Sequence, residues 1–155
     1  RFAALIVVLA LGACAMHGSL PLNTTTADQL RQQMGKPTDV RSQPGGGEAW
    51  DYANGPEGLT TWRYTIDSNK IVRGAVQLLT ESRLYQLKPG AREADVLEAL
   101  GRPGGKTQYS DSESWFWRAN LSPNTGYYHV TLGRDGVVRN AGILIDSIIG
   151  GDFSP

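Results

Sequence analysis

The sequence predicts an α+β fold of two tandem units, each a helix followed by a three-stranded antiparallel sheet, with the helices packed on one sheet face. Three observations predict it. The first is a stretch written twice. Gly35-Lys36-Pro37 returns as Gly101-Arg102-Pro103, 66 residues further on, and 66–73 returns as 132–139 at the same spacing. Between these anchors Trp50 and Tyr52 match Trp115 and Trp117 at a spacing of 65, as though one residue were lost and then regained. Colinear anchors of this kind mark a duplicated supersecondary unit. The second is a change of period, from helical spacing to strand alternation, within each copy. The third is length. A unit of roughly 60 residues is marginal alone, so two are expected to share their burial.

Composition narrows the function classes. The chain has 155 residues, a formal net charge of zero and a 40% hydrophobic fraction. That balance excludes a polybasic nucleic-acid binder and an acidic-tail protein. There is one cysteine, Cys14, so no intramolecular disulfide can form.

The chain opens on Arg1, an apolar run over 2–11, and then small residues, which is the pattern of a secretory signal. The run is too short to span a bilayer, which needs about 20 residues. No Met leads it, so the first residues of the signal are expected upstream of Arg1. Residues 1–13 are therefore assigned to the signal peptide, and 14–23, with Gly, Ser, Pro and Asn, to a tether.

The first unit is placed at 24–79. Thr26 and Gln29 have the form of a capping box, and Ala27, Leu30 and Met34 fall on one helical face. Gly35 suits a helix stop and Pro37 prevents continuation. Residues 41–47 are expected to form a flexible polar loop. Trp50 and Tyr52 then share one strand face. Over 60–66, Trp62, Tyr64 and Ile66 alternate with Thr61, Arg63 and Thr65, and 71–79 reads as the third strand.

The second unit is placed at 80–149, with 150–155 as a tail. A short helix is expected over 81–87, and Pro89-Gly90 breaks it. The helix over 92–100 faces Ala94, Val96, Leu97 and Leu100 inward. Arg92 stands where Thr26 caps the first copy, so this helix start is expected to be less well capped. Strands follow over 113–119, 126–132 and 137–145, and Arg134-Asp-Gly136 forms the last hairpin turn.

Three resemblances emerge from these residues. Leu11-Gly12-Ala13-Cys14, directly after the apolar run, resembles the lipobox of bacterial lipoproteins. That resemblance implies a lipid on the Cys14 thiol and a mature chain starting there. Ala15, where Asp would suggest inner-membrane retention, points the expectation to the outer membrane. Gly90-Ala-Arg-Glu-Ala-Asp-Val96, Leu100-Gly-Arg-Pro103, the aromatic strand around Trp115 and the turn ending Gly136-Val-Val138 resemble the BamE/SmpA/OmlA lipoprotein domain. The pattern departs from the family at Arg92, where Ser or Thr is usual, and at Thr24, where Gly is. The resemblance implies a periplasm-facing, outer-membrane scaffold without catalysis, whose partners are outer-membrane assembly or other envelope proteins. The tandem helix-plus-sheet arrangement also resembles the β-lactamase inhibitory protein, which implies the alternative of an inhibitor of a periplasmic or secreted enzyme.

No catalytic constellation stands out. His17 lies in the tether, and two histidines do not make a metal site. Ser110, His129 and Asp135 form a triad only on paper, and Gly45-Gly46-Gly47 precedes a strand rather than a helix. No cofactor is expected beyond the lipid on Cys14, and neither nucleic acid nor a small-molecule substrate is expected as a partner. The six aromatics Trp50, Tyr52, Trp62, Tyr64, Trp115 and Trp117 are expected under the helices. The opposite sheet face carries Arg63 in the first copy and Phe116, Arg118, Tyr127 and His129 in the second, and these five are the candidate partner-binding residues.

Overall fold

The computed structural model describes residues 20–145. The expected signal, Cys14, His17, most of the tether and the tail lie outside the described residues.

The chain is α+β and builds two four-stranded antiparallel sheets. Helix α1 (Ala27–Met34) leads into β1 (Asp39–Ser42), β2 (Glu48–Ala53), β3 (Thr61–Ile66) and β4 (Val72–Gln77). Two short helices follow, α2 (Glu81–Leu84) and α3 (Glu93–Leu100). Then come β5 (Gly105–Gln108), β6 (Ser112–Leu121), β7 (Asn124–Gly133) and β8 (Val138–Ile145). Each sheet is a meander in chain order, β1-β2-β3-β4 and β5-β6-β7-β8.

Three expectations about strands and loops are corrected. Each sheet has four strands, not three. The additional strands, Asp-Val-Arg-Ser and Gly-Lys-Thr-Gln, are short edge strands with little apolar alternation, so their sequence carries no strand signal. They form because the neighbouring strand supplies the ladder: Val40 pairs with Trp50, and Lys106 with Trp115. The loop expected over 41–47 is shorter, since β1 runs to Ser42 and Gln43 N–H closes the turn on Gly47 O at 2.9 Å. Finally, β6 and β7 extend to ten residues each, past the limits that the apolar pattern set.

The caps explain where the helices begin and end. Thr26 Oγ1 accepts from Gln29 N–H at 3.2 Å, and Gln29 Oε1 accepts from Thr26 N–H at 2.8 Å. At α3 only half of this reciprocal pair exists: Asp95 Oδ2 accepts from Arg92 N–H at 2.8 Å, because an Arg side chain has no acceptor to return. Both helices stop at glycines of positive φ, Gly35 at 80° and Gly101 at 72°.

Local bonds recur between the two halves. Tyr52 donates its hydroxyl to Gly35 O at 3.2 Å, and Trp117 donates its indole N–H to Gly101 O at 3.3 Å. The backbone bridge Thr26–Ile71 has a counterpart in Arg92–Val137. A register shift at Thr65/Ile66 is matched by one at Thr131/Leu132. Each sheet buries its aromatic face against a helix. One core gathers Ala27, Leu30, Trp50, Tyr52, Tyr64 and Ile66, with Trp62 packed against it. The other gathers Leu84, Val96, Leu100, Trp115, Trp117 and Val130. Each such buried aliphatic side chain contributes about 1.5–3 kcal/mol.

The helices do not confine themselves to one sheet face. The C-terminal turn of α3 also reaches the far face of the first sheet. There Arg63 donates to the Glu98 and Leu97 carbonyls, and Arg41 Nη1 donates to Leu97 O at 3.0 Å.

Candidate functional site

Strand register gathers four of the five candidate binding residues on the face of the second sheet that points away from Trp115 and Trp117. Phe116 lies opposite His129, and Arg118 opposite Tyr127. On the other side of β7, His129 faces Gly142 and Tyr127 faces Leu144. One row further along, Ser114 pairs with Thr131, and their hydroxyls meet at 3.0 Å. Tyr127, His129, Thr131 and Leu144 are each partly exposed.

Within this group the environments differ. Phe116 is 5% exposed and forms part of the floor. Arg118 reaches back to the first half, donating to Glu57 O at 3.2 Å. Glu57 belongs to the loop after β2, and Gly55 and Pro56 of that loop come against the backbone of Gly104. The His129 ring lies against β8 at Gly142. A Cβ on Gly142 would stand 3.1 Å from its Cε1, so a side chain at 142 would require the ring to give by a few tenths of an ångström. Burial lowers the His129 pKa from its ordinary value, against a backbone hydrogen bond to Gly142 that raises it. Its Nδ1 is buried and has no hydrogen-bond partner among the described residues.

Arg63, the fifth candidate, is not brought to this face. It sits in the first sheet, 7% exposed, and spends its donors inside the chain. Its Nε donates to Asp51 Oδ1 at 2.7 Å and its Nη2 to Asp51 Oδ2 at 2.9 Å. Its Nη1 meets Glu98 Oε1 at 2.9 Å. Asp51 is fully buried and takes a further bond from Arg41 Nη2 at 2.6 Å. Burial pulls the Arg63 pKa down, and the Asp51 hydrogen bonds and charge more than reverse it, for a net rise. Arg63 is thus a joint between the halves rather than an outward contact. The sequence held a signal for this: Asp51 sits between Trp50 and Tyr52 in a strand core, where an acid is costly unless paired.

The residues of the paper triad are dispersed. Arg134 donates to Ser110 O, Asp135 is bonded to Arg139 at 2.6 Å, and His129 lies in mid-strand. Among the described residues there is no group of three or more His, Cys, Asp or Glu side chains placed to hold a metal. The concavities are open grooves. One of about 550 Å³ is lined by Leu20, Pro21, Thr24, Thr25 and three glutamines. Another, of about 530 Å³, holds Asp111, Arg134, Asp135 and Arg139. No described helix is long and apolar enough to cross a membrane.

No protein-family model matches the chain, and no curated protein does. Solved structures do resemble it. A candidate β-lactamase inhibitor protein from Streptococcus mutans matches at 15% identity with a TM-score of 0.35, covering 85% of this chain and 88% of that one. A DUF4309 family protein from Bacillus subtilis matches at 10% identity and a TM-score of 0.32, covering 83% and 84%. An extracellular protein with an SCP domain from Bacillus anthracis matches at 11% identity and 0.30, covering 84% of this chain but 49% of its own length. At these values the likenesses assign neither a family nor an activity.

Proposed function

We propose that this chain is a non-catalytic protein-binding lipoprotein, lipidated on Cys14, held at the outer membrane and facing the periplasm, where it serves as a scaffold in envelope or barrel-protein assembly. Its two halves are copies of one helix-plus-sheet unit, which the matched bonds at Gly35 and Gly101 support. The lipobox-like Leu11-Gly-Ala-Cys14 supports the anchor. Diacylation gives firm attachment where a single chain binds marginally.

The observation that carries the binding reading is the second sheet. Its longest strands, β6 and β7, bury Trp115, Trp117 and Tyr128 on one face and leave Tyr127, His129 and Thr131 partly open on the other. A rigid sheet bearing Tyr, His and Arg offers broad contact area at low entropic cost, as protein-binding patches do.

Two experiments test the proposal. Cys14→Ala should move the protein out of the membrane fraction, and a wild-type protein that never sediments with membranes removes the anchor. Affinity purification from detergent-solubilised outer membrane, with wild type beside the double variant Tyr127→Ala/Thr131→Glu, tests the face. Envelope-assembly proteins lost only with the variant support the scaffold. A hydrolase recovered in their place supports the inhibitor reading, and an unchanged eluate removes this face as the docking surface.

A further inference from the structure

The last strand of the second sheet presents an edge that its counterpart in the first sheet does not. In β6 the carbonyls of Ser112 and Phe116 accept from Tyr109 and Gly104 N–H, at the two ends of β5. Even-numbered residues of β6 therefore turn their backbone groups to β5, and odd-numbered ones turn theirs to β7. Carried through the registers, this alternation bonds Asn140, Gly142 and Leu144 to β7 and turns Ala141, Ile143 and Ile145 outward. The start of that edge is covered: Val138 donates to Ala91 O at 2.8 Å and accepts from Gly90 N–H at 2.9 Å. Among the described residues, Ala141, Ile143 and Ile145 have no backbone partner on the outward side. Strand β4 begins in the same way, with Val72 bonded to Asn23 and Thr25, but it ends at Gln77. Leu78, which matches Leu144 at a spacing of 66, is buried, and the chain leaves towards α2. Leu144 stays in its strand and is partly exposed. The edge strands β1 and β5 are four residues long and carry Asp39, Arg41 and Lys106, charges that discourage pairing with another chain. Residues 140–145 carry neither charge nor proline.

We infer that β8 pairs with β8 of a second copy of this chain, antiparallel about Ile143, so that the second sheets of the two copies become one continuous sheet. The contact is made by a strand edge and not by Tyr127 or Thr131, so it stands or falls apart from the binding face proposed above. A two-fold contact requires a surface that complements itself, and this strand supplies one. An outward residue bonds only to an outward residue, which restricts the register. Centring on Ile143 engages all three outward residues, Ala141 with Ile145 of the copy and Ile143 with its own counterpart. It also sets Gly142 opposite Leu144 of the copy, so at each flanking position a small residue meets a large one. Centring on Gly142 instead engages only Ala141 and Ile143, and sets Asn140 against Leu144. Ala141 and Ile143 already pack against the core of the second half, and the pairing extends that core across the axis. With no charge over 140–145, no like charges meet there.

The test uses the full chain carrying Cys14→Ala, so that neither lipid nor a disulfide through Cys14 joins copies. Sedimentation equilibrium should show a monomer–dimer equilibrium. Ala141→Pro removes an outward N–H and no bond to β7, and Leu144→Lys places a charge opposite Gly142 of the copy. Each should weaken the dimer at least about ten-fold. The two substitutions alter the strand in unrelated ways, so loss of folding in one leaves the other to decide. Oxidation of single-cysteine variants reads the position. Ile143→Cys should cross-link copies, because residues opposite one another at a hydrogen-bonded pair lie about 5.5 Å apart between Cα atoms, within disulfide reach. Val40→Cys, on the edge strand β1, should not. A monomer at every concentration, a dimer that survives both substitutions, or cross-linking at position 40 in preference to 143 overturns the inference. So does a monomeric chain that dimerises once 146–155 are removed, which gives the edge to the chain's own end. A monomer whose Ala141 and Ile143 amides gain exchange protection only with an envelope protein also overturns it, and gives the edge to a foreign strand.

Discussion

Trp50 and Trp115 each donate the indole N–H to the carboxylate two residues earlier, Glu48 at 2.9 Å and Glu113 at 2.5 Å. Residues two apart share a strand face, so each acid lies beside the rim of its own indole. Each ring is also covered by a cation: the Arg31 guanidinium lies 4.7 Å from the Trp50 ring centroid and the Lys106 ammonium 3.9 Å from that of Trp115. One cation comes from a helix and the other from an edge strand, so the arrangement is kept while its source changes. Trp50→Phe and Trp115→Phe should each cost about 1–3 kcal/mol, through lost volume and a lost hydrogen bond. Urea unfolding measures both. Glu48→Gln keeps an acceptor and should cost under about 1 kcal/mol.

Arg63 and Asp51 make the strongest prediction about the joint between the halves. Arg63→Ala leaves Asp51 buried with only Arg41 beside it and withdraws a donor from α3. Breaking a buried pair on one side costs about 3–5 kcal/mol. The double replacement Asp51→Leu/Arg63→Met removes both charges and should recover part of that loss. A thermal-melt cycle of wild type, singles and double gives the coupling. A double variant no better than the sum of its singles would show that the pair is not a unit.

Gly35 and Gly101 end their helices with nearly the same backbone, φ 80°, ψ −161° and φ 72°, ψ −168°. This region is essentially reserved for glycine, and a side chain there costs about 1–3 kcal/mol. The surroundings differ. A Cβ at Gly35 meets nothing within 4 Å, whereas one at Gly101 meets Thr61 Cγ2 at 3.0 Å and Asp51 Oδ2 at 3.2 Å. Gly101→Ala should therefore destabilise more than Gly35→Ala, because it also pushes the joint apart. Equal losses in chemical denaturation would mean that the contact with Thr61 yields freely.

Arg92 offers a gain. Its side chain cannot accept from the N–H groups of the first turn of α3, whereas Thr26 accepts from Gln29 N–H in α1. Arg92→Thr should stabilise the chain by about 0.5–1 kcal/mol, seen as a higher melting temperature.

Most helix limits and both aromatic cores were legible because each rests on local chemistry. Thr26 and Gln29 announce a cap, Gly35 and Gly101 announce stops, and the alternation of Trp62, Tyr64 and Ile66 announces a half-buried strand. Strands β1 and β5 were not legible, since their stability comes from pairing with β2 and β6 rather than from their own residues. Arg63 was misplaced for a related reason. Alternation fixed its face correctly, but not what that face packs against. The approach of α3 to the first sheet is a contact between residues 34 and 35 positions apart, and no local pattern encodes it. Phe116, Arg118, Tyr127 and His129 were grouped by the same alternation, and there the register did bring them together.

His129 makes stability depend on pH in a definite direction. Burial holds its folded pKa below the ordinary value, while the unfolded chain titrates near 6.5. Between those two values the unfolded chain binds a proton that the native chain does not. Stability is therefore fully present above about pH 6.5 and declines as pH falls towards the lower folded value, by at most about 1.4 kcal/mol per pH unit for one proton. Glu48 and Asp67 titrate separately. Both have lowered pKa values, Glu48 chiefly through its hydrogen bond from Lys70 and Asp67 through the Ile71 N–H, so their contributions fade only in more acidic solution. Denaturation midpoints measured from pH 8 to about pH 5 isolate the histidine step. His129→Gln should flatten that step and leave the acidic decline in place. An unchanged profile in the variant would assign the dependence to another group.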